Sequence, residues 1–117
     1  MLQVDETDML ELFEREPEVG EDGIWSCWRY EHQGIELVLS VWPYDDDVLI
    51  SLRQISPENE FLDFKILGAN RVRLFNDEKR PFVEVEYPAG TSSTGSQFTR
   101  VARLYVRPEL HVSITEN

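Results

Sequence analysis

Cysteine is almost absent from this chain of 117 residues, in which Cys27 stands alone. An internal disulfide is therefore impossible, and packing alone has to hold the fold, as is usual in a reducing compartment. We accordingly expect a cytoplasmic protein. We also expect Cys27 to act as a small, half-buried apolar residue, because Arg29 is the only nearby cation that could activate its thiol.

Long apolar stretches are also missing from the sequence. None approaches the ~20 residues needed to cross a bilayer, and residues 1–5 lack the basic start and apolar stretch of a signal peptide. The apolar content of 41% and the charged content of 29% are typical of a globular protein. The length is close to that of one domain. We therefore expect a soluble protein with a single domain spanning residues 1–117.

The residue types that build most metal and catalytic centres are scarce. Cys27, His32 and His111 are the only thiol and imidazole groups, fewer than the four ligands of a structural zinc site. The aspartates at 45–47 are adjacent in sequence, whereas calcium loops place their ligands at alternate positions. No Gly-x-Ser-x-Gly turn marks a nucleophile. The sequence predicts no metal, no cofactor and no enzymatic activity.

The glycines at 90 and 95 have the spacing of a phosphate-binding loop. Such a loop requires a lysine where Ser96 stands, and a helix after it, whereas a strand is predicted here. A hairpin connection is therefore favoured over a nucleotide site.

Acidic and basic residues are unevenly distributed along the chain, whose net charge is −12. Residues 1–64 contain 17 acidic and three basic residues, a net charge of −14, whereas residues 65–117 contain six acidic and eight basic residues, a net charge of +2. Such a surface repels nucleic acid and anionic lipid and attracts cationic partners. We predict a basic protein partner; the alternative is that the acidity only maintains solubility.

One helix is predicted near the start of the chain. Asp5 is suited to cap it, and the helix is expected to end near Glu16, before Pro17. One apolar face is formed by Met9, Leu12 and Phe13.

Alternating apolar residues predict strands over most of the remaining chain. Residues 24–30, 35–42 and 48–54 are expected to form a meander in which Tyr30 faces Ile35. Residues 57–67 fit either a helix or a strand, and their branched and aromatic content favours a strand.

Residues 71–75 and 82–87 are predicted to pair next. Their expected cross-strand pairs are Phe75 with Phe82, Arg73 with Glu84 and Arg71 with Glu86. Residues 98–107 and 110–115 complete the strands. The predicted fold is α+β, with one N-terminal helix packed on a mainly antiparallel sheet of about seven or eight strands.

The outer face of the first three strands is the candidate binding site. Two tryptophans near a dense acidic turn are typical of the aromatic anchors and charged rim of a protein-binding surface. The predicted site residues are Trp25, Trp42, Tyr44, Asp45, Asp46 and Asp47. The favoured alternative is that the helix or a second layer covers the tryptophan rings as ordinary core.

These patterns favour a non-enzymatic acidic protein-binding module, such as an inhibitor or immunity-type protein that neutralises a basic toxin or nuclease. One alternative is a small-molecule-binding protein or enzyme with a cavity between sheet and helix. That cavity would be lined by Phe13, Trp28, Tyr30 and Tyr87. A second alternative is a homodimer whose sheets pair at an exposed edge or face.

Overall fold

The computed structural model describes residues 1–76, 80–91, 94–95 and 97–116. Within them the chain forms one α-helix and nine strands, arranged as a five-stranded and a four-stranded antiparallel sheet. The elements are α1 (Glu6–Phe13), β1 (Glu18–Val19), β2 (Ser26–His32), β3 (Ile35–Trp42), β4 (Asp47–Gln54), β5 (Asn59–Ile66), β6 (Arg71–Phe75), β7 (Phe82–Thr91), β8 (Gln97–Tyr105) and β9 (His111–Glu116). Within each sheet, every strand pairs with the strands adjacent to it in sequence.

The predicted α+β fold with an N-terminal helix is confirmed, and the ambiguous segment at 57–67 is the strand β5. The strands, however, are divided between two sheets, β1–β5 and β6–β9, where one sheet was expected. The division falls in the short connection at 67–70. There Gly68 has a positive φ of 68°, the Ala69 N–H donates to the Asp46 carbonyl, and the Asn70 N–H donates to the Glu86 carbonyl. These bonds turn the chain from the first sheet onto the second.

Helix α1 begins as predicted and ends earlier than predicted. The carboxylate of Asp5 accepts a hydrogen bond from the Asp8 N–H at 3.0 Å, which satisfies a free donor of the first turn. Glu14 adopts a left-handed conformation with φ of 59°, so the helix stops at Phe13 and does not reach Glu16. The predicted apolar face is confirmed, since the buried helix residues are Met9, Leu12 and Phe13.

Arg107 fastens the end of α1 to the region that follows β8. Its guanidinium donates to the Glu14 carboxylate and to the Glu11 carbonyl, both at 3.1 Å. A cation at the negative end of the helix dipole also stabilises the helix.

The hydrophobic core lies between the two sheets and α1. The first sheet contributes Trp28, Leu39 and Ile50 among others, and the second contributes inward-facing residues such as Val83 and Leu104. The rings of Phe64 and Tyr87 meet edge to face across the sheets, with centroids 6.0 Å apart. Both sheets and the helix therefore share one core.

The register of the first hairpin differs from the predicted one by two residues. Trp28 pairs with Leu39, and His32 pairs with Ile35. The reason is the turn, in which Gln33 and Gly34 both have positive φ, as a tight two-residue hairpin requires. The predicted pairing of Tyr30 with Ile35 instead leaves residues 31–34 as a four-residue connection. A shift of two residues keeps every side chain on its predicted face.

Two segments outside the predicted helix and strands contribute strands. Residues 18–19 form β1 at the edge of the first sheet, and β7 continues to Thr91 through an irregularity between Pro88 and Gly90. The connection to β8 is correspondingly shorter than expected. Ser96 of the glycine-spaced motif lies outside the described residues.

Ionisation of the Tyr87 phenol is expected to lower the free energy of unfolding at alkaline pH. Its burial raises the pKa of the phenol above the ordinary value of 10.0, and the nearby Arg100 lowers it by less. The unfolded chain therefore ionises Tyr87 at lower pH than the folded chain does. The resulting stabilisation is complete below about pH 10 and is lost as the pH rises through the native pKa.

We expect urea unfolding of the natural protein to show a larger loss of stability between about pH 8 and about pH 11 than unfolding of Tyr87→Phe. The other three tyrosines are present in both proteins and cancel in the comparison. Equal alkaline losses in the two proteins would contradict this role of Tyr87.

Candidate functional site

One end of the five-stranded sheet gathers the six predicted site residues. We call it the tryptophan–aspartate end, defined as Trp25, Trp42, Tyr44, Asp45, Asp46 and Asp47. Ser26 pairs with Val41 at this end of β2 and β3. Trp25 precedes Ser26 and Trp42 follows Val41, so the two tryptophans come next in the antiparallel register. Trp42 is in turn paired with Asp47 across β3 and β4. The four-residue turn at 43–46 completes the group.

The two tryptophan rings of this end lie outside the core. The helix and the second sheet cover the opposite face of the sheet, where Trp28 is 2% exposed. Trp25 and Trp42 are half-buried and do not belong to the core cluster, so the favoured expectation that they are covered core residues is wrong. Tyr44 is 71% exposed. Large aromatic side chains are therefore accessible at this end.

The aspartates of the turn have different roles. Asp46 has a left-handed φ of 57°, its carbonyl accepts the Ala69 N–H at 2.7 Å, and its carboxylate lies 3.8 Å from the Met1 amine. It therefore holds the turn in place. Asp45 is exposed and Asp47 is half-buried, and neither forms an ion pair with any described residue.

Gly20 makes room for the indole of Trp25. The Gly20 N–H donates to the Trp25 carbonyl at 2.9 Å, which brings the two residues together. A Cβ built on Gly20 would overlap the Trp25 ring, although the φ of −73° suits any residue. The absence of a side chain at position 20 thus fixes where the ring lies.

We expect Gly20→Ala to displace the Trp25 ring and to destabilise the fold by about 1–3 kcal/mol through overpacking. Unfolding followed by tryptophan fluorescence measures both effects. In a Trp25→Ala background the same Gly20→Ala change is expected to have almost no effect. A cost that persists in that background would show that the ring is not the cause.

A cleft opens beside the tryptophan–aspartate end. We call it the N-terminal cleft; its volume is about 620 Å³, and Trp28, Tyr44 and Arg73 are among the residues that line it. The Leu2 N–H donates to the Pro43 carbonyl at 3.0 Å, which holds the first residues of the chain against the β3–β4 turn. Three acidic residues at the start of α1 also line the cleft: Asp5, Glu6 and Asp8.

Sequence reasoning predicted a cavity elsewhere. Of its four expected lining residues, Trp28 alone lines the N-terminal cleft, while Phe13 and Tyr87 belong to the core and Tyr30 packs against it. The cleft depends on the contact between Leu2 and Pro43, which are remote in sequence, and no local pattern indicates it.

Part of the negative charge of residues 1–64 is neutralised by arginines at the end of the five-stranded sheet opposite the tryptophan–aspartate end. Glu36 is 8% exposed and lies 3.0 Å from Arg29 and 2.7 Å from Arg53. Burial lowers the pKa of Arg29, but electrostatic interactions with Cys27, Glu18 and Glu36 raise it by more. The pKa therefore lies above its ordinary value, and this arginine stays charged. Two of the three basic residues of the first half, Arg29 and Arg53, thus pair at the far end and not with the carboxylates of the tryptophan–aspartate end.

Within the described residues, no three His, Cys, Asp or Glu side chains converge to hold a metal ion. In the same part of the chain, no helix is long and apolar enough to span a bilayer.

Comparison with known proteins gives one informative similarity. No protein-family model and no curated protein matches the chain. Among solved structures, a chain of the contact-dependent growth inhibition toxin–immunity protein complex from Klebsiella pneumoniae 342 is similar, with a TM-score of 0.80 and 19% sequence identity. The similarity covers 97% of this chain and 95% of that chain. It shows that the helix and the two antiparallel sheets form a fold that also occurs in that complex.

Proposed function

We propose that this protein is an immunity-type protein that neutralises a toxin by binding it. The observation that carries the proposal is the similarity of nearly the whole chain to a component of a toxin–immunity protein complex, with a TM-score of 0.80. Neutralisation by binding covers a surface of the toxin and needs no catalytic group in the neutralising protein.

The tryptophan–aspartate end is the surface that we assign to the toxin. Half-buried tryptophans can insert into a partner without a large loss of conformational freedom, and aromatic residues are over-represented among energetically dominant interface positions. Asp45 and Asp47, whose carboxylates form no ion pair with a described residue, lie at the same end of the sheet as these rings. Together with the acidic side of the N-terminal cleft, they favour a partner whose contact surface is basic.

Electrostatic attraction of this kind acts mainly on the rate of association. A field from several carboxylates on one surface attracts a cationic partner before contact, and the attraction weakens as salt screens it. The proposed complex is therefore expected to form more slowly as the salt concentration rises, with a smaller change in its dissociation rate.

The test uses a candidate toxin domain, taken from the genes adjacent to that of this protein. Cells that produce the toxin domain are expected to grow when this protein is co-produced and to stop growing when it is absent. Titration calorimetry of the two purified proteins measures the affinity, and stopped-flow mixing at several salt concentrations measures the association rate. The toxin of the Klebsiella pneumoniae 342 complex serves as the specificity control. Absence of both binding and protection would contradict the proposal.

A second candidate function is the binding of a small ligand in the N-terminal cleft. The cleft volume of about 620 Å³ falls in the range of ligand sites, and the buried Trp28 Nε1 has no hydrogen-bond partner in the described part of the chain. A ligand that stabilises the natural protein in a thermal-shift screen, and not a variant in which the half-buried cleft residue Val4 is replaced by tryptophan (Val4→Trp), would support it. If neither protein responds, the cleft has no such role.

A further inference from the structure

The outer face of the four-stranded sheet carries a row of aromatic rings. Phe75, Phe82 and Tyr105 occupy opposed positions on β6, β7 and β8, and their ring centroids are 5.0 Å and 5.1 Å apart. Their sequence neighbours Val83 and Leu104 are fully buried in the core. Because side chains alternate along a strand, the ring row faces away from the core.

Arginine side chains lie over this row. The guanidinium of Arg73 is 4.5 Å from the Phe75 centroid, and that of Arg80 is 4.1 Å from the Tyr105 centroid. Arg103 lies 5.4 Å from the Phe82 centroid. We call this surface the arginine–aromatic face, defined as Arg73, Phe75, Arg80, Phe82, Arg103 and Tyr105.

The Glu84 carboxylate on this face is buried, whereas the two arginines that bind it are partly exposed. The Glu84 side chain is 7% exposed and binds Arg103 at 3.1 Å and Arg73 at 3.6 Å. In contrast, the side chains of Arg73 and Arg103 are 44% and 38% exposed. Each guanidinium has five N–H donors, so most remain free to bind an incoming acceptor. The ion pairs therefore hold the arginines in position and leave their outer edges available.

The charge of this face is opposite to that of the remaining surface. With the neighbouring pair Arg71–Glu86 included, four arginines stand against two glutamates on the outer side of the sheet. Since the whole chain has a net charge of −12, the rest of the molecule carries −14. A positive face on so acidic a protein selects a partner of different chemistry from that attracted by the tryptophan–aspartate end.

We propose that the arginine–aromatic face is a second protein-binding surface, which takes an acidic segment of a polypeptide partner. Carboxylates of the segment pair with the free guanidinium donors, and its apolar side chains lie on the ring row. Arginine and aromatic residues in one cluster are the composition most often found at interface hot spots. This proposal goes beyond neutralisation of a basic toxin and does not depend on it.

A nucleic acid fits this face less well than an acidic peptide does. A polyanion extends beyond the face and meets the field of the remaining −14 charge, which repels it. A short acidic segment contacts the arginines alone. The size of the face and the distribution of charge therefore favour a polypeptide.

The probe is a fluorescein-labelled synthetic peptide of alternating glutamate and leucine, titrated with the full-length protein at low salt and followed by anisotropy. We expect saturable binding that weakens with salt. The double variant Arg80→Gln/Phe75→Thr is expected to bind at least about tenfold more weakly. Arg80 forms no ion pair with a described residue, so its replacement leaves the Glu84 pairs in place.

Arg100→Gln is the matched control. Arg100 lies on the same sheet and loses the same charge, but it is opposite Tyr87 on the other face of β8 and pairs with the exposed Glu116. Binding of the peptide to this variant is expected to be unchanged. If the double variant does not fold, amide chemical-shift mapping of the peptide on the natural protein replaces it, with shifts expected in β6, β7 and β8.

Four results would overturn the proposal. They are the absence of saturable binding, an equal loss in Arg100→Gln, tighter binding of a single-stranded oligothymidylate than of the peptide, and self-association in light scattering that the double variant abolishes. The third would identify a nucleic-acid surface, and the fourth an interface with a second copy of the chain. None of them bears on toxin neutralisation, which is measured with a different partner.

Discussion

Replacement of Phe13 by alanine is expected to lower the free energy of unfolding by about 3–5 kcal/mol. Phe13 is 2% exposed and is the last residue of α1, where the helix packs on the shared core. Deletion of its ring removes apolar burial and leaves a cavity that the surrounding sheets cannot close. Urea unfolding at neutral pH measures the loss.

Leu10→Ala is the control for this prediction. Leu10 lies on the same helix but is 42% exposed, so the change is expected to alter the free energy of unfolding by no more than about 0.5 kcal/mol. Because both variants gain the same helix-favouring alanine, their difference reports the packing of Phe13. Equal losses would mean that α1 does not pack on the core as described.

Trp42→Ala is expected to weaken toxin binding by about 2 kcal/mol or more, which corresponds to roughly 30-fold in Kd. Trp42 is half-buried on the outer face of the sheet and outside the core, so the variant is expected to remain folded. Titration calorimetry with the toxin measures the affinity, and thermal unfolding verifies the fold. Tyr44→Ala is expected to act in the same direction, and the 71% exposure of Tyr44 leaves little packing to lose.

Phe61→Ala provides the matched control on the same sheet. Phe61 is 54% exposed and lies in β5 beside the irregularity at Leu52 and Arg53, at the end of the sheet remote from Trp42. Its removal is expected to leave the Kd within about twofold of the natural value. An unchanged Kd for Trp42→Ala, or an equal loss for Phe61→Ala, would remove the tryptophan–aspartate end as the toxin site.

The pairing of β6 with β7 shows what the sequence can predict. Only one register places both Arg71 opposite Glu86 and Arg73 opposite Glu84, and that register is confirmed. The first hairpin has no such constraint, since its apolar alternation is unchanged by a shift of two residues. The left-handed pair Gln33–Gly34 decides the register there, and a two-residue turn was not assumed.

The candidate site likewise has a part that the sequence predicts and a part that it does not. Tyr44 and the aspartates at 45–47 are adjacent in the chain, and the hairpin brings Trp42 beside them, so their proximity follows from local structure. The division into two sheets and the N-terminal cleft depend on contacts between distant segments, such as Leu2 with Pro43. Side-chain periodicity carries no information about such contacts. The use of the six residues in binding remains a prediction.

The strictly sequential order of the strands has a consequence for synthesis of the protein. Because every strand pairs with strands adjacent in the chain, each new hairpin closes only a short loop, at a small cost in chain entropy. As the chain leaves the ribosome, the first sheet can form before the residues of the second have been made. Arg107, which fastens the end of α1, is made only after the strands β1–β8. We therefore expect the helix to be the last element to reach full protection from hydrogen exchange.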